Sequence, residues 1–134
     1  MTSFQFSDFK DDVVLRRFIT VRGQYDHFHA YKDAPDEVAF LRNLHRHLFK
    51  WTAKIEVFHD DRELEFFMVM RHINVNIMPF IQIPELGSCE MQAEDILEFL
   101  VNEYGAKRYY EITVSEDGEN DGTVTWDPSP ITNR

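Results

Sequence analysis

Residues 44–58 constrain the fold more than any other stretch of this chain. The odd positions read His45, His47, Phe49, Trp51, Ala53, Ile55 and Val57. The even positions read Leu44, Arg46, Leu48, Lys50, Thr52, Lys54, Glu56 and Phe58. Successive side chains of a strand point to opposite faces, so this alternation predicts one long strand with a buried odd face. His59 to Arg62 then reads as a turn.

The remaining elements are placed around that strand. Glu90–Tyr104 carries Ala93, Ile96, Leu97, Leu100, Val101 and Tyr104 at the spacing of one helical stripe. Ser88 is its candidate N-cap, Glu90 and Glu94 sit near the positive end of its dipole, and Gly105 is the expected stop. A second helix is expected from Glu63 to about Ile73, with Leu64, Phe67, Met68 and Arg71 at helical spacing. Val13–Arg22 reads as a first strand. Gly23–Asn43 reads as a long loop, with a short helix around Asp36–Arg42 as the alternative. Tyr109–Glu116 alternates as a strand, Asp117–Gly122 is a turn, and Thr123–Trp126 closes a hairpin. Pro79 and Pro84 bracket an irregular apolar stretch. The order β-β-α-α-β-β predicts an α+β fold, a four-stranded antiparallel sheet with two helices on one face.

Composition bounds the function. With 134 residues, 43% of them hydrophobic, the chain makes one domain, 1–134, with residues 127–134 expected as a flexible tail. The formal net charge of −10 argues against nonspecific nucleic-acid or anionic-lipid partners. No apolar run approaches the roughly 20 residues of a membrane helix. The polar, acidic stretch Met1–Asp12 is unlike a secretory signal. The single cysteine, Cys89, gives no internal disulfide and fits a reducing cytoplasm.

His45 and His47 are the sharpest chemical feature. At i and i+2 of a strand they share a face, about 6–7 Å apart, close enough for both imidazoles to reach one metal ion. His27 and His29, upstream, can each supply a third ligand. Three imidazoles with an open position make a catalytic type of zinc site. On spacing alone, a metal site and a pair of packed, backbone-bonded histidines both stay open.

The segment Leu44-His45-Arg46-His47-Leu48-Phe49 resembles the L-H-G-H-aromatic signature of the 6-pyruvoyl- and 6-carboxytetrahydropterin synthases, tunnelling-fold enzymes. Leu64-Glu65-Phe66 with Met68, Val69 and Arg71 resembles their V-D-F-x-x-L-K. Met91-Gln92-Ala93-Glu94-Asp95-Ile96-Leu97 resembles their P-T-A-E-N-L-A. Ile112-Thr113-Val114-Ser115-Glu116 resembles their V-x-V-x-E-T, and Val124-Thr125-Trp126 stands where they have a closing strand. The resemblance implies a zinc ion on His29, His45 and His47, with His27 as the fallback for the third ligand. It also implies a pterin or purine-like ligand held by Glu116 and Glu94, and a barrel-like homo-oligomer, a tetramer or hexamer.

The chain also departs from that pattern. Relatives place a cysteine four residues before the first histidine of the pair, where this chain has Leu41. Their L-D-H segment has no counterpart in Asn74–Leu86, which contains neither Asp nor His. The catalytic base is therefore open, with His27, Glu65 and His72 as candidates. Three readings follow: a zinc-dependent lyase acting on a dihydropterin side chain, a protein that binds a pterin or guanine-type ligand without turnover, and a structural domain with packed histidines.

Overall fold

The computed structural model describes residues 3–9, 11–81 and 87–128. Its sheet contains β1 (Arg17–His29), β2 (His45–Val57), β3 (Tyr110–Glu116) and β4 (Asn120–Trp126), in spatial order β1-β2-β3-β4. All three pairings are antiparallel. Between β2 and β3 lie helix α1 (Phe66–Asn76), the single turn α2 (Met78–Ile81) and helix α3 (Cys89–Tyr104). The expected α+β architecture and strand order are present, with α2 as an addition. The tail beyond Pro128 and part of the apolar stretch between Pro79 and Pro84 lie outside the described residues.

β2 is the strand its alternation predicts: Phe49, Trp51, Ala53, Ile55 and Val57 are buried on the odd face. The first four of these meet Ile112 and Val114 of β3, Val69 and Ile73 of α1, and Ala93, Ile96, Leu97 and Leu100 of α3 in one core. Both long helices cover this same sheet face. α3 is capped as expected, Ser88 Oγ accepting from Met91 N at 3.2 Å, and it stops at Gly105, whose φ is 109°. The Tyr110 hydroxyl ties that stop to the sheet by donating to Gly105 O at 2.7 Å. Among the described residues, no helix is long and apolar enough to cross a membrane.

Two boundaries differ from the sequence expectation. β1 begins at Arg17 rather than Val13, and it runs seven residues into the segment read as a loop. Val13, Val14 and Leu15 are apolar but exposed, so their composition does not mark a buried strand. The continuation to His29 is set by pairing: every β1 residue faces a β2 residue, from Arg17↔Val57 to His29↔His45. Within it, Gly23 faces Trp51, and a Cβ at Gly23 would fall 2.4 Å from the indole ring. Glycine is a poor strand former, yet this close approach requires it. The alternative short helix over Asp36–Arg42 is present as 3-10 turns.

α1 begins at Phe66, not Glu63, because Glu65 caps it. The Glu65 carboxylate accepts from Phe67 N at 2.9 Å and Met68 N at 3.2 Å. Its buried face is Val69 and Ile73, whereas Phe67 and Met68 are exposed.

Candidate metal centre

Register decides which side chains meet. Paired residues of an antiparallel sheet share a face, so His29 stands beside His45 and His27 beside His47, at the β1–β2 end nearest the start of α3. Ring centroids are 4.5 Å apart for His29 and His45, 5.1 Å for His29 and His47, and 5.0 Å for His45 and His47. One ligand atom from each of the three lies within 4.8 Å of the other two. The structure thus brings together His29, His45 and His47; His27 is on the same sheet face but outside this group.

Each imidazole is oriented through its Nδ1. His29 Nδ1 donates to Gly87 O at 3.3 Å, and His45 Nδ1 donates to Asn43 O at 2.8 Å. His47 Nδ1 donates to Asp117 Oδ2 at 2.6 Å. A carbonyl or carboxylate can only accept, so all three Nδ1 atoms carry a proton, and a neutral ring then leaves its Nε2 with a lone pair for a metal. This is the arrangement in which metal-binding histidines are held by outer partners. His29 is 8% exposed, and its Nε2 is the one buried side-chain nitrogen or oxygen without a hydrogen bond among the described residues. Burial lowers its pKa, outweighing the Gly87 bond and the charge of Glu116, so the ring is held neutral. A neutral, buried, orphaned nitrogen beside two further imidazoles fits a zinc ion.

No local sequence pattern marks the outer partners of the histidines. Asp117 sits in the β3–β4 turn, where φ is 57° at Asp117 and 75° at Gly118. Aspartate tolerates that left-handed conformation, and it aims the carboxylate back at β2. Its second oxygen accepts from Leu48 N at 2.9 Å. The bonds from His47 and then Leu48 hold its pKa below the ordinary value. Gln92, only 1% exposed, was also missed. Its Nε2 donates to Gly87 O at 3.0 Å, and its Oε1 accepts from the buried Tyr25 hydroxyl. Gln92 therefore fixes the carbonyl that orients His29. The available signal was a glutamine four residues before Ile96, on the apolar stripe of α3.

Above the imidazoles is a cavity of about 650 Å³, within the usual range for small-molecule sites. His29, His45, Glu116, Leu41, Cys89 and Tyr31 are among its lining residues. Glu116 is half-buried, with Oε1 3.3 Å from His29 Nε2 and Oε2 3.6 Å from His47 Nε2. Cys89 is buried, and its thiol is pushed up to about 12 by burial and then by the charges of Glu116, Glu90 and Asp121. It is a thiol, not a thiolate, at neutral pH.

Three other candidates lie elsewhere. Glu65 is occupied at the α1 N-terminus, beyond the end of β2 opposite the histidines. His72 bonds the Tyr104 hydroxyl at 2.7 Å, at the far end of α3 from Gly87. Sixteen residues of helix, about 24 Å, separate those ends. Glu94 is exposed and lines a groove with Trp126 of β4 rather than the cavity.

The Plasmodium falciparum 6-pyruvoyl tetrahydropterin synthase superposes with a TM-score of 0.58 at 16% identity, over 82% of this chain and 97% of that one. The fold is that of the 6-pyruvoyl tetrahydropterin synthases. The Plasmodium vivax 6-pyruvoyl tetrahydropterin synthase agrees, with a TM-score of 0.53 at 16% identity over 83% of this chain and 99% of that one. A P. vivax form in which a catalytic glutamate is replaced by alanine gives the same values. No family model and no curated protein matches the sequence. The likeness to the synthases is one of fold, at an identity too low to carry activity with it.

Proposed function

We propose that this protein holds one zinc ion on His29, His45 and His47 and binds a pterin or purine-like molecule in the cavity above it. Its activity would be of the 6-pyruvoyl- or 6-carboxytetrahydropterin synthase kind, a lyase reaction on the side chain of a dihydropterin. The observation carrying this reading is the set of three imidazoles, each with Nδ1 bonded to an outer acceptor and each with a ligand atom within 4.8 Å of the other two, at one end of a tetrahydropterin-synthase fold. Zinc in such a site supplies Lewis-acid polarisation of hydroxyl and carbonyl oxygens. Glu116 offers two acceptor oxygens for the N–H edge of a ring. Of the three candidate bases, His27 alone shares the sheet face of the ligands. The exposed outer edges of β1 and β4 support a homo-oligomer, a tetramer or hexamer with sheets joined edge to edge. A cytoplasmic location accords with the single free thiol.

A second reading is favoured by a specific observation. The relatives' cysteine position is Leu41, the nearby Cys89 thiol is held up to about 12, and Glu65 and His72 are remote. A protein so built binds its ligand without turning it over.

Metal content of tag-free protein, beside a His45→Ala, His47→Ala double variant, tests the shared premise. About one zinc per chain, lost in the variant, is the expected result; none in the wild type after zinc is supplied refutes both readings. Chromatographic assay of dihydroneopterin triphosphate then separates them, because binding without product leaves only the second. Native mass tests the oligomer, and a strict monomer refutes it.

A further inference from the structure

Glu116 stands in an unusual relation to the histidines. Each ring carries a proton on Nδ1, so in the neutral form that binds metal His29 Nε2 and His47 Nε2 each keep a lone pair. A carboxylate oxygen also offers only lone pairs. Yet Oε1 approaches His29 Nε2 to 3.3 Å and Oε2 approaches His47 Nε2 to 3.6 Å, and the His29 nitrogen has no hydrogen-bond partner. In that neutral form three acceptors converge with no donor between them. Such a convergence is unfavourable unless a cation sits among them.

The distances suit one kind of cation. Four ligands about 2.0–2.1 Å from a tetrahedral zinc ion are separated from one another by roughly 3.3–3.4 Å. Glu116 Oε1 stands 3.3 Å from His29 Nε2 and Oε2 stands 3.6 Å from His47 Nε2, so each oxygen lies near the length of one such edge. We propose that Glu116 is the fourth metal ligand of the free protein, closing the coordination sphere of His29, His45 and His47. The inference rests on the three-histidine reading and changes the part given to Glu116. A sphere of four protein ligands has no vacant position, as in structural rather than catalytic zinc sites. An incoming ligand reaches the metal only by drawing Glu116 away, which frees that carboxylate for the ligand's own N–H groups. The resting site is therefore latent.

The test uses the full chain loaded with cobalt(II), whose visible spectrum reports coordination, with zinc affinity measured by competition against a chelator. Glu116→Gln keeps shape and removes the charge; Glu116→Asp keeps the charge on a shorter arm. Losing an outer partner of a metal costs about 10–100-fold in affinity, so losing a direct ligand is expected to cost at least tenfold. The expected result is that loss in Glu116→Gln, a changed cobalt spectrum in both variants, and azide altering the spectrum of Glu116→Gln but not of wild type. Unchanged affinity and spectrum in folded Glu116→Gln overturn the inference while leaving the three-histidine site intact. Failure of the wild type to take up either metal overturns the three-histidine reading itself. Circular dichroism of each metal-free variant excludes loss of fold as the cause.

Discussion

Replacing Gln92 by methionine separates the stability of the fold from the shape of the metal site. Methionine is similar in length, so packing is nearly conserved. Two polar contacts are lost: the acceptor of the Tyr25 hydroxyl and the donor to Gly87 O. Burial raises the Tyr25 pKa, so its hydroxyl stays protonated and becomes a buried donor without a partner. Such a group costs about 1–3 kcal/mol. Gly87 O keeps its bond from His29 Nδ1 and adds little to that cost. In a chain of this size 1 kcal/mol moves the melting temperature by roughly 3–5 °C. Melts with chelator present should therefore fall by about 3–15 °C. Adding Tyr25→Phe removes the stranded hydroxyl and should recover most of that loss. Zinc affinity should behave differently: Gly87 is unanchored in the single and double variants, so both should bind about tenfold or more weakly than wild type. If the single variant melts with the wild type, or Tyr25→Phe leaves the deficit untouched, the orphan-hydroxyl account is refuted. If zinc affinity returns with Tyr25→Phe, Gln92 does not orient His29.

Gly23→Ala should destabilise by about 1–3 kcal/mol through overpacking against Trp51, and Trp51→Phe in the same chain should lessen that cost in a double-mutant cycle. Asp117→Asn should weaken zinc about 10–100-fold, measured by chelator competition. Acid should destabilise the fold. Burial raises Glu56 and Glu63, but their bonds to Arg16 and Tyr109 N and to Phe58 N and Arg108 outweigh it and hold both pKa values below normal. Their contribution is complete above the unfolded carboxylate range, about pH 4.5, and is lost as pH falls through the folded values. Urea midpoints from pH 6 to 3 should show that loss, reduced in Glu56→Gln.

The sequence revealed elements whose pattern is self-contained. β2 announces itself because every odd side chain from Phe49 to Val57 enters the core while its even neighbours stay outside. α3 does so through a stripe with a cap at each end. β1 was shifted because its strand character is conferred by pairing: Gly23, Gln24 and Asp26 carry little strand preference of their own. The His45 and His47 pair is visible by spacing; His29 joins it in the sequence only through the family resemblance, because the register that sets it beside His45 is in no local pattern. Asp117 reads as a turn residue and Gln92 only as part of the segment that opens α3, since their roles lie in contacts 70 and 67 residues away. Glu65 read as chemistry, but its carboxylate is engaged by the helix it caps.

The three outer partners of the histidines also say when the site can exist. Asn43 is two residues from His45, but Gly87 is 58 residues from His29 and Asp117 is 70 from His47. Contacts so distant along the chain form only after the intervening loops have closed. A nascent chain that has reached β2 already carries all three imidazoles, yet none of the long-range clamps that aim them. Metal captured in the geometry described is thus a signature of completed assembly, and its rate of uptake during refolding would time the docking of α3 and the β3–β4 hairpin onto the first two strands.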